Sequence, residues 1–402
     1  MRYKRPCLLH YRLAQLVSWN VAQFIFKRKI LRNEIKGKKG PFVVIANHQA
    51  AYDFVNLIGA TARPMSFVIS NSFYSSLPIR GFLDKMGVIP KQQFQTTVHD
   101  MKVMKAVIDA GEILAIYPAG LMCEDGLSTP LPQATYKFLK WLKADVYVAR
   151  TRGAYFAMPK WAKGMRPGRT TLDIYKLFDK EELAELDVEE VKARTDEALL
   201  FDAYREQEEL LVQYKGSGNI EGLENVLYLC PHCGGEFTMQ VRDGNTICCS
   251  RCGFAQRSDE YAFLHKQGDV GEELRYVSDW SRLIYEAQKE KVRSGEETGL
   301  TARTAVHMVD EVKNKFVEVG QGTVTLSADH FLLDGTIGGE PVELEIPIAN
   351  IPTLPFGPGK YLEIQHGEKI YRCVLEDGKL VMKYINMVKA FYELSQLAAV
   401  EK

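Results

Sequence analysis

The chain reads as an α/β domain followed by a small four-cysteine module and a β-rich C-terminal domain. Three observations predict this. Up to about residue 215, short β-branched runs alternate with helical stretches, the pattern of a sheet with helical crossovers. Five of the eight cysteines then fall between Cys230 and Cys252. From about residue 313, short strands divided by Gly, Asp and Pro turns take over. The boundaries that follow are 1–35 for a basic amphipathic helix, 36–215 for the α/β domain and 226–262 for the cysteine module. A helical connector over 263–312 and a β-rich domain over 313–402 complete the chain.

With 402 residues, 46% hydrophobic and 25% charged, the composition is that of a globular protein and excludes a disordered or fibrous one. Lys+Arg and Asp+Glu are both 51, which argues against a globally basic nucleic-acid binder. The zero is a cancellation. Residues 1–40 hold eleven Lys/Arg against Glu34 alone, and residues 179–210 hold thirteen acids against four bases. Runs like the second are ordinarily solvated faces, and no chemistry is assigned to it.

The first element spans about Leu8 to Phe26. Leu9, Leu13, Leu16, Val17, Val21, Phe24 and Ile25 recur three and four apart, which predicts a helix. Polar residues such as Arg12, Asn20 and Gln23 interrupt it, so it does not read as a spanning helix. No small-residue cleavage site follows, so it does not read as a secretory signal. An apolar stripe with Trp19 and the basic run Lys27-Arg28-Lys29 suits an anionic membrane surface. The competing expectation is a helix packed on the core with a solvated basic face.

Next, residues 42–46, 66–69, 113–117 and 146–149 read as buried strands. Residues 98–110 read as a helix with Met101, Met104, Val107 and Ile108 on one side and Gly111 as its stop. Residues 133–143 read as another. Where the first strand ends stand Asn47, His48 and, five places past the histidine, Asp53. Open α/β sheets bind ligands at that edge. A neutral imidazole can take a proton from a hydroxyl while a carboxylate holds its tautomer. On a regular helix a five-residue spacing separates side chains by about 140°, so His48 must lie in the turn before the helix.

The order of motifs resembles the glycerolipid acyltransferase superfamily, the 1-acyl-sn-glycerol-3-phosphate acyltransferases. Asn47-His48 through Asp53 matches its first motif, and Gly87-Val88-Ile89-Pro90-Lys91 resembles its second. Tyr117-Pro118-Ala119-Gly120 with Asp125-Gly126 is similar to the third, and residues 146–149 to the fourth. The resemblance covers about residues 40–165. It implies an α/β acyltransferase domain of phospholipid biosynthesis. The acyl donor is a thioester, acyl-CoA or acyl-carrier protein, and the acceptor a lipid hydroxyl. His48 is then the general base, Asp53 its orienter and Lys91 a phosphate contact, with backbone N–H groups near Gly120 facing the oxyanion. The third motif departs from the family, with Ala119 and Met122 where Glu and Arg are usual. Arg150 and Arg152 are candidates to replace the missing phosphate contact. Cys123 has no local base and is not taken as a nucleophile. The alternative is a catalytically weak membrane-associated adaptor that keeps the fold.

Cys230, Cys233, Cys249 and Cys252 form a C-x2-C-x15-C-x2-C pattern, each second cysteine preceding a glycine. Four thiolates so spaced make a structural zinc site resembling a zinc ribbon. The strands between them turn at Asp243-Gly244-Asn245, Cys248 is a weaker substitute for Cys249, and His232 is expected to be exposed. Clustered thiols fit a reducing cytosol rather than a disulfide framework, hence a cytoplasmic, peripheral membrane protein. Few cations mark the hairpin, so nucleic acid is not an expected partner. In the connector, Trp280 and Tyr285 are expected packing anchors. Strands are expected at 315–319, 322–326, 331–333, 343–347, 361–365 and 369–374, closed by a helix over about 379–398. That pattern is similar to PH- or GRAM-like domains.

Overall fold

A computed structural model describes residues 3–93, 97–216, 218–367 and 369–400. Ser217, in the Gly216-Ser217-Gly218 stretch that follows the α/β domain, lies outside them. The chain divides into two compact units. Unit 1 comprises Met1–Lys160 with Gly164–Ser217, and unit 2 comprises Trp161–Lys163 with Gly218–Lys402.

Unit 1 holds strands β1 (Lys29–Asn33), β2 (Phe42–Ala46), β3 (Met65–Ser70), β4 (Ile89–Lys91), β5 (Ile113–Ile116), β6 (Asp145–Arg152) and β7 (Thr171–Phe178). Its helices are α1 (Leu8–Phe24), α2 (Asp53–Ile58), α3 (Asn71–Ser75), α4 (Arg80–Lys85), α5 (Val98–Asp109), α6 (Ala134–Leu142), α7 (Ala154–Ala157), α8 (Lys180–Glu185), α9 (Val188–Leu199) and α10 (Ala203–Leu210). The sheet order is β1-β7-β6-β2-β5-β3-β4. Strands β6, β2, β5, β3 and β4 run parallel, and β7 turns back antiparallel to β6.

Alternate residues of the sheet feed two cores. Val43, Ile45, Leu114, Ile116, Val146 and Val148 pack under α5, α6 and α9. Phe42, Val44, Ala46, Ile113, Ala115 and Tyr147 pack under Tyr11 of α1 and Leu57 and Ile58 of α2. Burial on both faces explains why these strands read as unbroken apolar runs. A capping box between Thr97 and Asp100 starts α5, and Gly111, at φ +77°, follows its end.

The N-terminal region differs from a single helix over 1–35. Helix α1 ends at Phe24, and Lys29–Asn33 is an edge strand paired with β7. Arg28 is buried and donates to the carbonyls of Asn56 and Gly59, so one cation of the basic run is internal. On α1 itself, Tyr11, Ser18 and Ala22 face inward. Leu9, Leu13, Leu16, Val17 and Phe24 are exposed, Leu9 and Phe24 by 75% and 73%.

Unit 2 begins with a four-stranded antiparallel sheet of β8 (Met239–Arg242), β9 (Thr246–Cys249), β10 (Ala255–Ser258) and β11 (Leu264–Gln267). The β8–β9 hairpin turns at Asp243 and Gly244, both at positive φ. The module therefore runs past residue 262. Helix α11 (Val277–Arg293) buries Trp280, whose Nε1 donates to Leu229 O at 3.0 Å, and Tyr285 is half-buried.

The C-terminal sheet then begins at residue 299, inside the expected connector. It comprises β12 (Gly299–Asp310), β13 (Lys315–Ser327), β14 (His330–Ile337), β15 (Glu340–Pro347), β16 (Phe356–Gly357), β17 (Tyr361–His366) and β18 (Lys369–Leu375), in the order β15-β14-β13-β12-β18-β17-β16. The two strands expected at 315–319 and 322–326 are one. Gly320 and Gly322 do not break it. A Cβ on either would lie 1.9 or 2.3 Å from the carbonyl oxygens of Thr336 or Asp334, so the glycines permit close backbone approach within the sheet. Helix α12 (Leu380–Val400) closes the unit, with Val381, Tyr384, Ile385, Val388 and Phe391 buried.

Candidate active site and four-cysteine centre

Strand β2 delivers the chain to the C-terminal edge of the sheet, and His48 lies in the turn before α2, which Asp53 opens. His48 Nδ1 donates to Asp53 Oδ2 at 3.0 Å. The same oxygen accepts the backbone N–H of Gln49 (2.6 Å) and Ala50 (2.9 Å). An acceptor so placed fixes the tautomer with Nδ1 protonated, leaving the Nε2 lone pair to act as a base. Asp53 is buried and His48 retains 21% side-chain exposure, so the ring can meet a substrate.

The neighbours hold the turn. Asn47 exchanges two hydrogen bonds with the Thr151 backbone, each 2.8 Å, tying β2 to β6. The Tyr117 ring lies 4.9 Å from the His48 ring. Burial, with Asp53 adding to it, pushes the Tyr117 hydroxyl well above its ordinary range, so it stays neutral.

Gly120, at φ +70°, donates its N–H to Tyr117 O at 3.0 Å. That N–H is engaged within the turn. The Gly120 carbonyl accepts Gln93 Nε2 at 2.7 Å, joining the segment after β4 to this turn. Lys91 ends β4 on the same sheet edge, with Nζ 2.9 Å from Gln92 O, and burial lowers its basicity. Ala119, Leu121 and Cys123 are buried. Burial, then the charges of Asp125, Glu124 and Asp53, pushes the Cys123 thiol well up, away from the thiolate form.

Arg150 and Arg152 stand at the end of β6, with protein partners that the sequence did not indicate. Arg150 donates to the carbonyls of Ala198 (2.8 Å) and Leu200 (3.2 Å) and to Glu206 Oε1 (2.8 Å). Arg152 pairs with Glu209 at 3.1 Å and approaches Glu206 at 3.5 Å. These guanidinium groups are engaged by α9 and α10, elements beyond the motif-bearing residues 40–165. The residue missed was Glu206, one buried acid among the thirteen taken as solvated. Gln49 was missed too, although its adjacency to His48 is a signal.

In unit 2 the sulfurs of Cys230, Cys233, Cys249 and Cys252 lie within 4.8 Å of one another. Cys230–Cys252 and Cys233–Cys249 are 3.7 and 3.8 Å apart. A tetrahedron with metal–sulfur arms of about 2.3 Å has edges near 3.8 Å, so the donor set fits zinc. Cys248 lies outside the cluster and His232 is exposed. Glu236, three residues past Cys233, accepts from Lys291 of α11 and Lys383 of α12, each at 2.7 Å.

Unit 1 thus carries an acyltransferase-type α/β domain. The family described as Acyltransferase matches residues 26–155, roughly a third of the chain. Among solved structures, the chain is similar to the 1-acyl-sn-glycerophosphate (LPA) acyltransferase PlsC from Thermotoga maritima, at 20% identity. That likeness covers 47% of this chain and 78% of that one, with a TM-score of 0.38. Comparison with curated proteins gives no match.

Proposed function

We propose that unit 1 moves a fatty acyl group from an acyl thioester, on coenzyme A or an acyl-carrier protein, to a lipid hydroxyl. The acceptor is of the lysophospholipid or glycerol-phosphate type. The observation that carries this reading is the 3.0 Å His48–Asp53 pair at the C-terminal edge of β2, inside the acyltransferase-matched span. His48 Nε2 takes the acceptor's proton as its oxygen attacks the thioester carbonyl. Collapse of the tetrahedral adduct breaks the C–S bond, and the imidazolium returns the proton to the leaving thiolate. Lys91 supplies charge for an anionic head group.

Three further assignments accompany it. The exposed apolar stripe of α1, with Lys27 and Lys29 just beyond, supports docking on an anionic membrane surface in the cytoplasm. Among the described residues no helix is long and apolar enough to cross a membrane. The four thiolates would hold a structural zinc; bound there, the metal supplies cross-linking of the two knuckles. Meander, return strands and closing helix support a PH- or GRAM-like reading of residues 299–400 as a binding domain.

The test is transfer from acyl-CoA or acyl-carrier protein to lyso-acceptors on anionic vesicles. His48→Ala is expected to lose at least roughly a hundredfold in kcat, the lower end of what a general base supplies. Full activity in His48→Ala sinks the base assignment. No transfer by wild type with any donor and acceptor favours the adaptor.

A further inference from the structure

Helix α10 lies beyond the acyltransferase-matched span, yet it reaches the catalytic turn through Glu206. Glu206 Oε2 accepts Gln49 Nε2 at 3.2 Å, while Oε1 accepts Arg150. Gln49, 0% exposed, uses its own Oε1 to accept the N–H groups of Ala154 (2.9 Å) and Tyr155 (3.3 Å). Its backbone N–H donates to the Asp53 oxygen that holds His48. We propose that Glu206 is a positioning residue for the acyl-transfer base, acting through Gln49 and Asp53 on His48; this rests on the acyltransferase reading above.

The physical reason is the two-ended character of an amide. Gln49 can present oxygen or NH2 to either side. Two backbone donors demand its oxygen, so its NH2 must find an acceptor on the other side. A carboxylate, which only accepts, satisfies that in one orientation. Without that acceptor the NH2 is buried and unpaired, which is costly enough to drive rearrangement of the turn. Because Asp53 Oδ2 is shared by Gln49, Ala50 and His48, moving the turn moves the imidazole. Arg150 and Arg152 then act at one remove. They stabilise the Glu206 carboxylate in a buried place.

The test is made on the full chain with 15N-labelled histidine. A hydrogen-bonded His48 Nδ1–H gives a downfield proton resonance, assigned by its loss in His48→Ala. Glu206→Gln offers one oxygen where Gln49 Nε2 and Arg150 each use a separate one, and is expected to fall between wild type and Glu206→Leu in both kcat and resonance. Glu206→Leu is expected to lose or broaden it and to drop kcat by roughly ten- to a hundredfold, as for a base displaced by up to about 1 Å. The donor KM should move less than about twofold. Should Glu206→Leu not fold, Gln49→Met cuts the same link and leaves the Arg150 pair intact, with the same expected result. A wild-type resonance and kcat in either folded variant overturns the positioning role while leaving the acyltransferase reading standing. Full transfer activity in His48→Ala, with the resonance still dependent on Glu206, removes the base reading and not the linkage.

Discussion

Helix α12 turns Val381, Tyr384, Ile385, Val388 and Phe391 into the C-terminal sheet, whereas α1 turns Leu9, Leu13, Leu16, Val17 and Phe24 to solvent. Both sequences repeat apolar residues at helical spacing. The difference lies in what anchors each helix. On α12 the apolar stripe itself is the anchor, and Tyr384 OH adds a hydrogen bond to Val324 O at 2.9 Å. On α1 the anchor is the opposite face, where Tyr11 and Ala22 are fully buried, Cys7 N donates to Lys85 O, and Gln15 Nε2 donates to Thr61 O. Amphipathicity states that a stripe exists; it does not state which neighbour covers it.

The contrast can be broken from several directions. The largest effect expected is on the metal side of unit 2. If the four thiolates hold zinc as proposed, a chelator should unfold the four-cysteine module, since such sites draw their folding energy from the metal. Hydrogen exchange should rise in β8 and β9, and in α12 near Lys383, which pairs with Glu236; unchanged protection on chelation would refute a metal-dependent fold. Next, Ile385→Ala should cost about 2–5 kcal/mol of stability, a large-to-small change in a closed core. Leu13→Ala on α1 should cost under about 0.5 kcal/mol, as an exposed position. Equal denaturant midpoints for the two variants would contradict the asymmetry.

A smaller effect concerns pH. Burial alone would raise the Glu297 carboxyl, but hydrogen bonds from Lys383 and Gln288 hold it below the usual range. Its contribution to stability is therefore present above the unfolded value of about 4.3 and lost as pH falls through the lower folded value. The Tm difference between wild type and Glu297→Gln should accordingly shrink as pH is taken below about 4. Smallest in stability, though not in binding, is Leu9→Ser with Leu13→Ser and Leu16→Ser. Tm should stay nearly constant, and flotation with anionic vesicles should fall severalfold. Undiminished flotation would return α1 to a purely structural role.

Much of the site was legible because its chemistry is local. The His48–Asp53 spacing required a turn followed by a helix, and that is the arrangement found. The four cysteines converge because each pair sits on one knuckle and a hairpin joins the pairs. Strands buried on both faces showed as apolar runs, while β7 and β12, partly solvated, were passed over. The reading of 322–326 as a separate strand failed because a glycine marks a turn and a close backbone approach equally well.

Residue type and period act over a few positions, and they marked the groups able to do chemistry and the strands and helices with an unbroken or periodic apolar pattern. Only the tertiary structure decided what faces what. It paired Arg150 and Arg152 with Glu206, placed that one acid of a charged run beneath the His48 turn, and left the α1 stripe uncovered. Those outcomes depend on partners 56 to 157 residues apart, as in Arg150–Glu206 and Gln49–Glu206, or on which face a helix is docked by. No local pattern encodes such pairings, because burial and charge neutralisation belong to the assembled neighbours and not to the segment alone.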